Sequence, residues 1–373
     1  MKYFPLPLLL AAALFCCGFL PIGGQAPELA RGHWVASAPV RLSDNRGKKM
    51  TALLFWAPES SCARGVQHFA GTAYRLRKMP VAFVAVGKGG AEALTRFPLC
   101  RQLGGIPLLA DAAEANQKLF LRSENRLPMA VLISREGKLL WRGNPAQLAG
   151  MIQMVSKGKY DEKLVRHRDD FNAAFSDFVA KSDFKGALGL LEKELATPFI
   201  PPHEIVALQV GIHFRRLNSF DGALGAVHQA QKRFPGRPEY YEMELKLLEL
   251  GNRPDLMNEF YLRLTGIFGG EPRVLLNFVT HEMNRSMDRM APANVYIVAR
   301  AAANAKKYRN DREHGRALIF YAQSLYCLGR PDLALPVAER SLKFLKGSEE
   351  YAQAEGVTKF YRKLVEFSPR IKE

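Results

Sequence analysis

Apolar and polar positions follow two different rhythms along the chain, and the change comes at about residue 158. Between Pro27 and Gly158, short apolar runs alternate with amphipathic ones. Thr51-Ala-Leu-Leu-Phe-Trp56 has the uninterrupted apolar character of a buried strand. Gly65 to Met79 reads as an amphipathic helix. Pro80-Val-Ala-Phe-Val-Ala-Val86 is a second buried strand, closed by Gly87-Lys88-Gly89-Gly90, and a short helix runs on through Leu103. Met129-Ala-Val-Leu-Ile-Ser134 and Lys138-Leu-Leu-Trp-Arg142 flank Arg135-Glu136-Gly137, which reads as a hairpin turn. Pro145 to Ser156 closes the region as a helix with proline at its start. This order predicts an α/β domain over residues 27–158, a mixed sheet covered by helices.

From Lys159 onward no strand pattern appears. Helical stretches of about 12–20 residues are separated by short Gly, Pro, Asn and Asp turns. Ser182-Asp-Phe-Lys-Gly-Ala-Leu188 recurs as Ser219-Phe-Asp-Gly-Ala-Leu224, as Gly251-Asn-Arg-Pro-Asp-Leu-Met257 and as Gly329-Arg-Pro-Asp-Leu-Ala-Leu335. Aligned on Ala187, Ala223, Met257 and Ala334, the copies are 36, 34 and 77 residues apart, which leaves room for one divergent copy near residues 270–310. A period in this range signals helix pairs that stack because no pair can bury its apolar face alone. Residues 159–373 are therefore expected to form an all-α solenoid.

Composition adds compartment and charge. The 373 residues are 48% apolar and 24% charged, which excludes a disordered chain, a collagen and a multispanning membrane protein. Met1-Lys2, a mostly apolar run from Tyr3 to Leu20, and the small residues Gly24 and Ala26 read as a signal peptide over 1–26, cleaved after Ala26. An uncleaved anchor, or a lipoprotein through Cys16 or Cys17, is the alternative; all three export the chain. The protein is thus expected to be secreted, periplasmic or extracellular, with membrane association only if the leader stays or is lipidated. The formal net charge of +17 lies mostly between residues 27 and 158, which hold 19 basic and 8 acidic residues. A solvated basic face explains this, or docking to an acidic envelope component. No aromatic-interleaved basic motif accompanies the charge, and nucleic acid is not an expected partner.

The five cysteines, at 16, 17, 62, 100 and 327, form no CxxC and no zinc-ligand spacing. Cys327 lies in a repeat helix and reads as core packing. His203-Glu204 and His281-Glu282 each open like a zinc-protease helix, but Ala207 and Arg285 stand where the second histidine is needed. No metal and no cofactor is implied. Lys88-Gly89-Gly90 lacks the remainder of a phosphate loop.

Cys62 carries the chemical suggestion. Leu53-Leu-Phe-Trp-Ala-Pro-Glu-Ser-Ser-Cys62-Ala-Arg-Gly-Val66 places it where a strand hands over to a helix, with Arg64 close in sequence. A helix N-terminus and a cation both favour the nucleophilic thiolate. This segment resembles the thioredoxin-like superfamily, in its redoxin, thiol–disulfide interchange and peroxiredoxin-like branches. Ile106-Pro-Leu-Leu-Ala-Asp111 is similar to the segment before that family's third main strand, and Leu127-Pro128 to its cis-proline entry into the hairpin. The resemblance covers roughly residues 27–156. It implies Cys62 as the catalytic thiol, and Trp56, Leu127 and Pro128 as a substrate groove for a protein thiol or disulfide; Cys100 reads as its resolving catalytic partner, as a structural disulfide partner of Cys62, or as a buried free thiol.

The family's two-cysteine pattern is not intact. Glu59-Ser-Ser-Cys62 stands where two cysteines would be, so one is missing. For a peroxidase, Glu59 occupies the threonine place and Pro128 roughly the arginine place. The repeats, in turn, resemble the tetratricopeptide family: Gly211, Phe214, Ala223, Ala230 and Pro235 fall at its relative spacings. That resemblance implies a curved array binding peptides or partner proteins. Two readings stand. One is an exported thiol–disulfide oxidoreductase using Cys62; the other is a redox-degenerate thioredoxin-like domain serving with the repeats as a protein-binding scaffold.

Overall fold

The strands in chain order are β1 (His33–Val35), β2 (Met50–Trp56), β3 (Val81–Lys88), β4 (Leu108–Asp111), β5 (Met129–Ile133) and β6 (Leu139–Gly143). The computed structural model describes residues 20–35, 37–122, 126–284 and 291–367. β2 is buried at all seven positions, as its apolar run requires of a central strand. It pairs in parallel with β3, from Met50 opposite Val81 to Trp56 opposite Gly87, and antiparallel with β5, from Thr51 opposite Ile133 to Phe55 opposite Met129. The full order is β1-β4-β3-β2-β5-β6, a mixed sheet. The parallel pair needs a crossover, supplied by α1 (Ala63–Arg75), whose buried positions Val66, Phe69 and Thr72 recur every three residues. Helices α2 (Ala91–Arg96), α3 (Leu99–Gln102), α4 (Ala115–Phe120) and α5 (Leu148–Ser156) complete the cover.

Two elements depart from the sequence reading. Leu108–Asp111 is itself a strand, not the approach to one, because it pairs in parallel with β3. Its outer partner β1 is three residues long and half-exposed, with no periodicity to announce it. Asp111 ends β4 and accepts hydrogen bonds from the amides of Ala115, Asn116 and Gln117, fixing the start of α4.

The expected leader lies outside the described residues over 1–19, including Cys16 and Cys17, but its last seven residues are part of this fold. Ile22 and Ala26 are buried at 2% exposure. Gly23 N–H donates to Leu139 O at 2.7 Å, Leu139 N–H to Gly24 O at 2.8 Å and Ala26 N–H to Gly137 O at 2.8 Å. Gln25 pairs antiparallel with Lys138. The segment is thus an irregular outer strand on β6.

Two compact units divide the chain, one ending at Ile200 and the other beginning at Pro201. The first therefore takes in α6 (Glu162–Ala180) and α7 (Phe184–Ala196), beyond the sheet domain's expected end at 158. A buried ion cluster ties α6 to the sheet, beside the packing of Tyr160 and Val165 on its core. Arg142 of β6 meets Asp169 of α6 at 3.2 Å, and Arg122 meets the same carboxylate at 3.2 Å. Burial pushes the Asp169 carboxyl above the usual range, against the pull of both arginines.

The second unit is helical throughout its described residues: α8 (Pro202–Arg215), α9 (Phe220–Arg233), α10 (Pro238–Leu250), α11 (Pro254–Phe268), α12 (Pro272–Met283), α13 (Pro292–Asn304), α14 (Asp311–Cys327), α15 (Pro331–Leu345) and α16 (Tyr351–Phe367). Helices α12 and α13 lie in the interval where a divergent copy is expected. The repeated motif has a backbone signature in both units. Ser182, Asn218, Asn252 and Gly329 all take left-handed conformations, with φ of 58°, 48°, 49° and 75°. Each directly precedes the residue that caps the second helix of its pair. The caps come in two forms. Asp183 and Ser219 accept from Gly186 and Gly222 amides, whereas Arg253 and Arg330 bind Asp255 and Asp332 two residues on. Ala187, Ala223 and Ala334 are fully buried, while Gly211 faces open space. No helix among the described residues is long and apolar enough to cross a membrane.

Candidate functional site

Strand β2 ends at Trp56, and the chain turns through Ala57-Pro-Glu59 into a 3-10 turn at Ser60–Cys62 that opens α1. Cys62 sits at the cap position of α1 with 0% exposure, inside the sheet domain's hydrophobic core. Its Sγ accepts a hydrogen bond from Ala57 N–H at 3.4 Å. Arg64, two residues on in the first turn of α1, is exposed. Glu59, Ser60 and Ser61 are exposed on the turn, and Ser61 Oγ donates to Glu59 at 3.3 Å.

Pro128 reaches the same end of the sheet from the other side. Its residue neighbour Met129 pairs with Phe55, one position before Trp56. The Leu127–Pro128 bond is cis. The proline ring lies directly on Gly65: a Cβ at Gly65 would fall 2.2 Å from Pro128 Cγ and 2.8 Å from its Cβ. The first turn of α1 thus approaches Pro128 as closely as a residue without a side chain permits. Leu127 and Pro128 are both half-buried. The sequence reading missed Gly65, although a glycine in a helix's first turn, beside a half-buried proline, is a signal of close packing.

Trp56 is fully buried, and its indole N–H has no hydrogen-bond partner among the described residues. Its ring lies 6.5 Å from that of Phe97, whose carbonyl accepts from Cys100 N–H. Cys100 lies on the four-residue helix α3 and packs against the same core cluster that holds Trp56 and Cys62. Burial raises its thiol above the ordinary range, the opposite of what an attacking thiolate needs. Cys62, Cys100 and Cys327 are all free thiols, so Cys62 and Cys100 are not joined. Trp56, Cys62 and Pro128 therefore share one corner, with Leu127 beside them and Cys100 packed against the same core.

Outside this corner, Glu249, His281 and Glu282 each bring one ligand atom within 4.8 Å of the others. His281 Nε2 is 2.9 Å from Glu249, and Tyr261 O–H donates to Glu282 at 2.5 Å. Protein partners already occupy these donors and acceptors.

No protein-family model and no curated protein matches the chain. Solved structures do resemble it. One is a 2-Cys peroxiredoxin from Plasmodium vivax, 19% identical, covering 37% of this chain and 83% of its own, with a TM-score of 0.32. Another is the thioredoxin domain of a thiol-disulfide oxidoreductase from Bacteroides vulgatus, 16% identical, covering 36% and 98%, with a TM-score of 0.30. A third is a secreted disulfide oxidoreductase from Mycobacterium tuberculosis, 19% identical, covering 33% and 92%, with a TM-score of 0.27.

Proposed function

We propose that this is an exported protein-binding scaffold. Its first domain has a thioredoxin-like architecture that keeps the strand-to-helix corner and lacks the exchange chemistry. Its tetratricopeptide-like helix pairs hold a partner protein or peptide. The observation that carries this reading is the complete burial of Cys62. A thiol must reach a partner's sulfur to exchange with it. Glu59 stands at the place of the missing cysteine and is exposed, so the accessible position of the loop bears a carboxylate. Burial also raises the Cys100 thiol above its ordinary range, which disfavours the thiolate the redox reading would draw on. Nothing in this reading requires a cofactor.

The second reading, a thiol–disulfide oxidoreductase, draws on the seating of the Pro128 ring against Gly65 in the turn after Cys62. One experiment separates the two. Cys62 alkylation by iodoacetamide, followed by peptide mass spectrometry across pH, is expected to run about 100-fold slower in the native protein than in urea. Cys62→Ser is expected to leave disulfide reduction of insulin at background. Native alkylation as fast as in urea, together with insulin reduction lost in Cys62→Ser, would establish the enzyme reading instead.

A further inference from the structure

The helical unit holds a cavity of about 420 Å³ between α12 and the start of α14. Its charge is one-sided. Arg273 comes from α12, Arg309 from the preceding turn, and Arg312 and Arg316 from the first turns of α14, against one lining carboxylate, Glu313. That carboxylate is already engaged: its Oε1 lies 3.6 Å from Arg273 Nε and its Oε2 accepts from Arg309 N–H at 2.8 Å. Arg312 is held from outside the lining by Glu350, at 2.8 Å. The guanidinium groups of Arg309 and Arg316 have no ion-pair or hydrogen-bond partner among the described residues. Asn277 adds a neutral amide to the same wall.

Like charges gathered in a concavity repel, and a bound anion removes the repulsion. Two free guanidinium forks present paired N–H donors to an incoming ligand, the geometry that matches phosphate and carboxylate oxygens. A single carboxylate brings one charge and two oxygens, fewer than the free donors here; a phosphoryl group brings two charges and three. We propose that this cavity binds a phosphoryl group, presented either by a soluble phosphate compound or by a lipid headgroup. The site lies on the helical unit, is independent of Cys62, and goes beyond the scaffold reading.

The test uses the full chain at low ionic strength. Calorimetric titration with inorganic phosphate, with chloride held constant, is expected to give saturable binding. The double variant Arg309→Gln/Arg316→Gln should weaken it at least about tenfold. Arg309→Lys/Arg316→Lys keeps the charge but loses the forks, and should fall between the two. Arg362→Gln, at an arginine paired with Glu339 elsewhere in the unit, should bind like the parent. Both mutated side chains are exposed, and far-UV circular dichroism checks that the helices are intact. In a second arm, the protein is sedimented with phosphatidylcholine vesicles with and without phosphatidic acid. Pelleting that needs phosphatidic acid and is lost in the double glutamine variant identifies a headgroup; phosphate binding without pelleting identifies a soluble source. Equal behaviour of parent and double variant in both arms, or no binding in either, overturns the proposal.

Discussion

Two glycines of α1 divide the residue-scale account between them. Gly65 is pressed against Pro128, whereas Gly71 has nothing within 4 Å of where a Cβ would stand. The same substitution should therefore have opposite signs in one helix. Gly71→Ala removes the conformational cost of a mid-helix glycine and should stabilise by about 0.5–1 kcal/mol. Gly65→Ala forces the helix away from the proline and should destabilise by about 3 kcal/mol. Urea unfolding of the two variants reads both. Sequence spacing put Cys62 at a strand-to-helix junction correctly, because an apolar run followed by an amphipathic one is a local pattern. Its burial was not legible, because the core cluster it joins gathers residues from the whole sheet domain. Pro128 was legible at the corner only through the family resemblance of Leu127-Pro128; in the structure its neighbour Met129 pairs with Phe55 of β2.

At the scale of elements, the two central strands and the hairpin could be read because each is a continuous apolar run bounded by turn residues. β1 and the Leu20–Ala26 segment could not, since both owe their conformation to pairing with distant partners rather than to their own periodicity. That segment changes the expected maturation. Cleavage after Ala26 would strip an outer strand from β6 and expose the pocket left by Ile22. We therefore expect any processing to fall before Leu20, and N-terminal sequencing of the mature protein should return a start at or upstream of that residue. The Arg142 cluster is the companion case. Arg142 donates to Phe120 O at 2.8 Å and also to Leu20 O, besides meeting Asp169. Arg142→Leu leaves the Asp169 carboxylate buried without its main counter-charge, and thermal unfolding should show a loss of about 3–5 kcal/mol in the first unit.

At the scale of the whole molecule, a buried polar node is set between successive helices beside the apolar core. Glu244 of α10 is 2% exposed and binds His228 at 2.9 Å and Gln231 at 2.7 Å, both on α9, and Arg263 on α11. Burial opposes its charge, yet these partners hold its carboxyl below the usual range. A depressed folded-state value contributes stability that is present above the unfolded carboxylate range of about 4.3 and lost as pH falls through the folded value. Acid titration should therefore weaken the helical unit below about pH 4, and Glu244→Gln should flatten that part of the profile. Equal acid sensitivity in the variant would rule out this node as its source. The larger apolar cluster of the unit joins Tyr241, Phe260, Tyr261, Phe268 and Phe278, in α10 to α12, while α16 adds Tyr361 to a smaller one and leaves Phe367 exposed at 82%. On a deuterium-labelling clock this makes the array a graded record. Amides of α16 exchange first, through fraying that leaves the rest intact, and those of α10 to α12 exchange last, only when the whole unit opens.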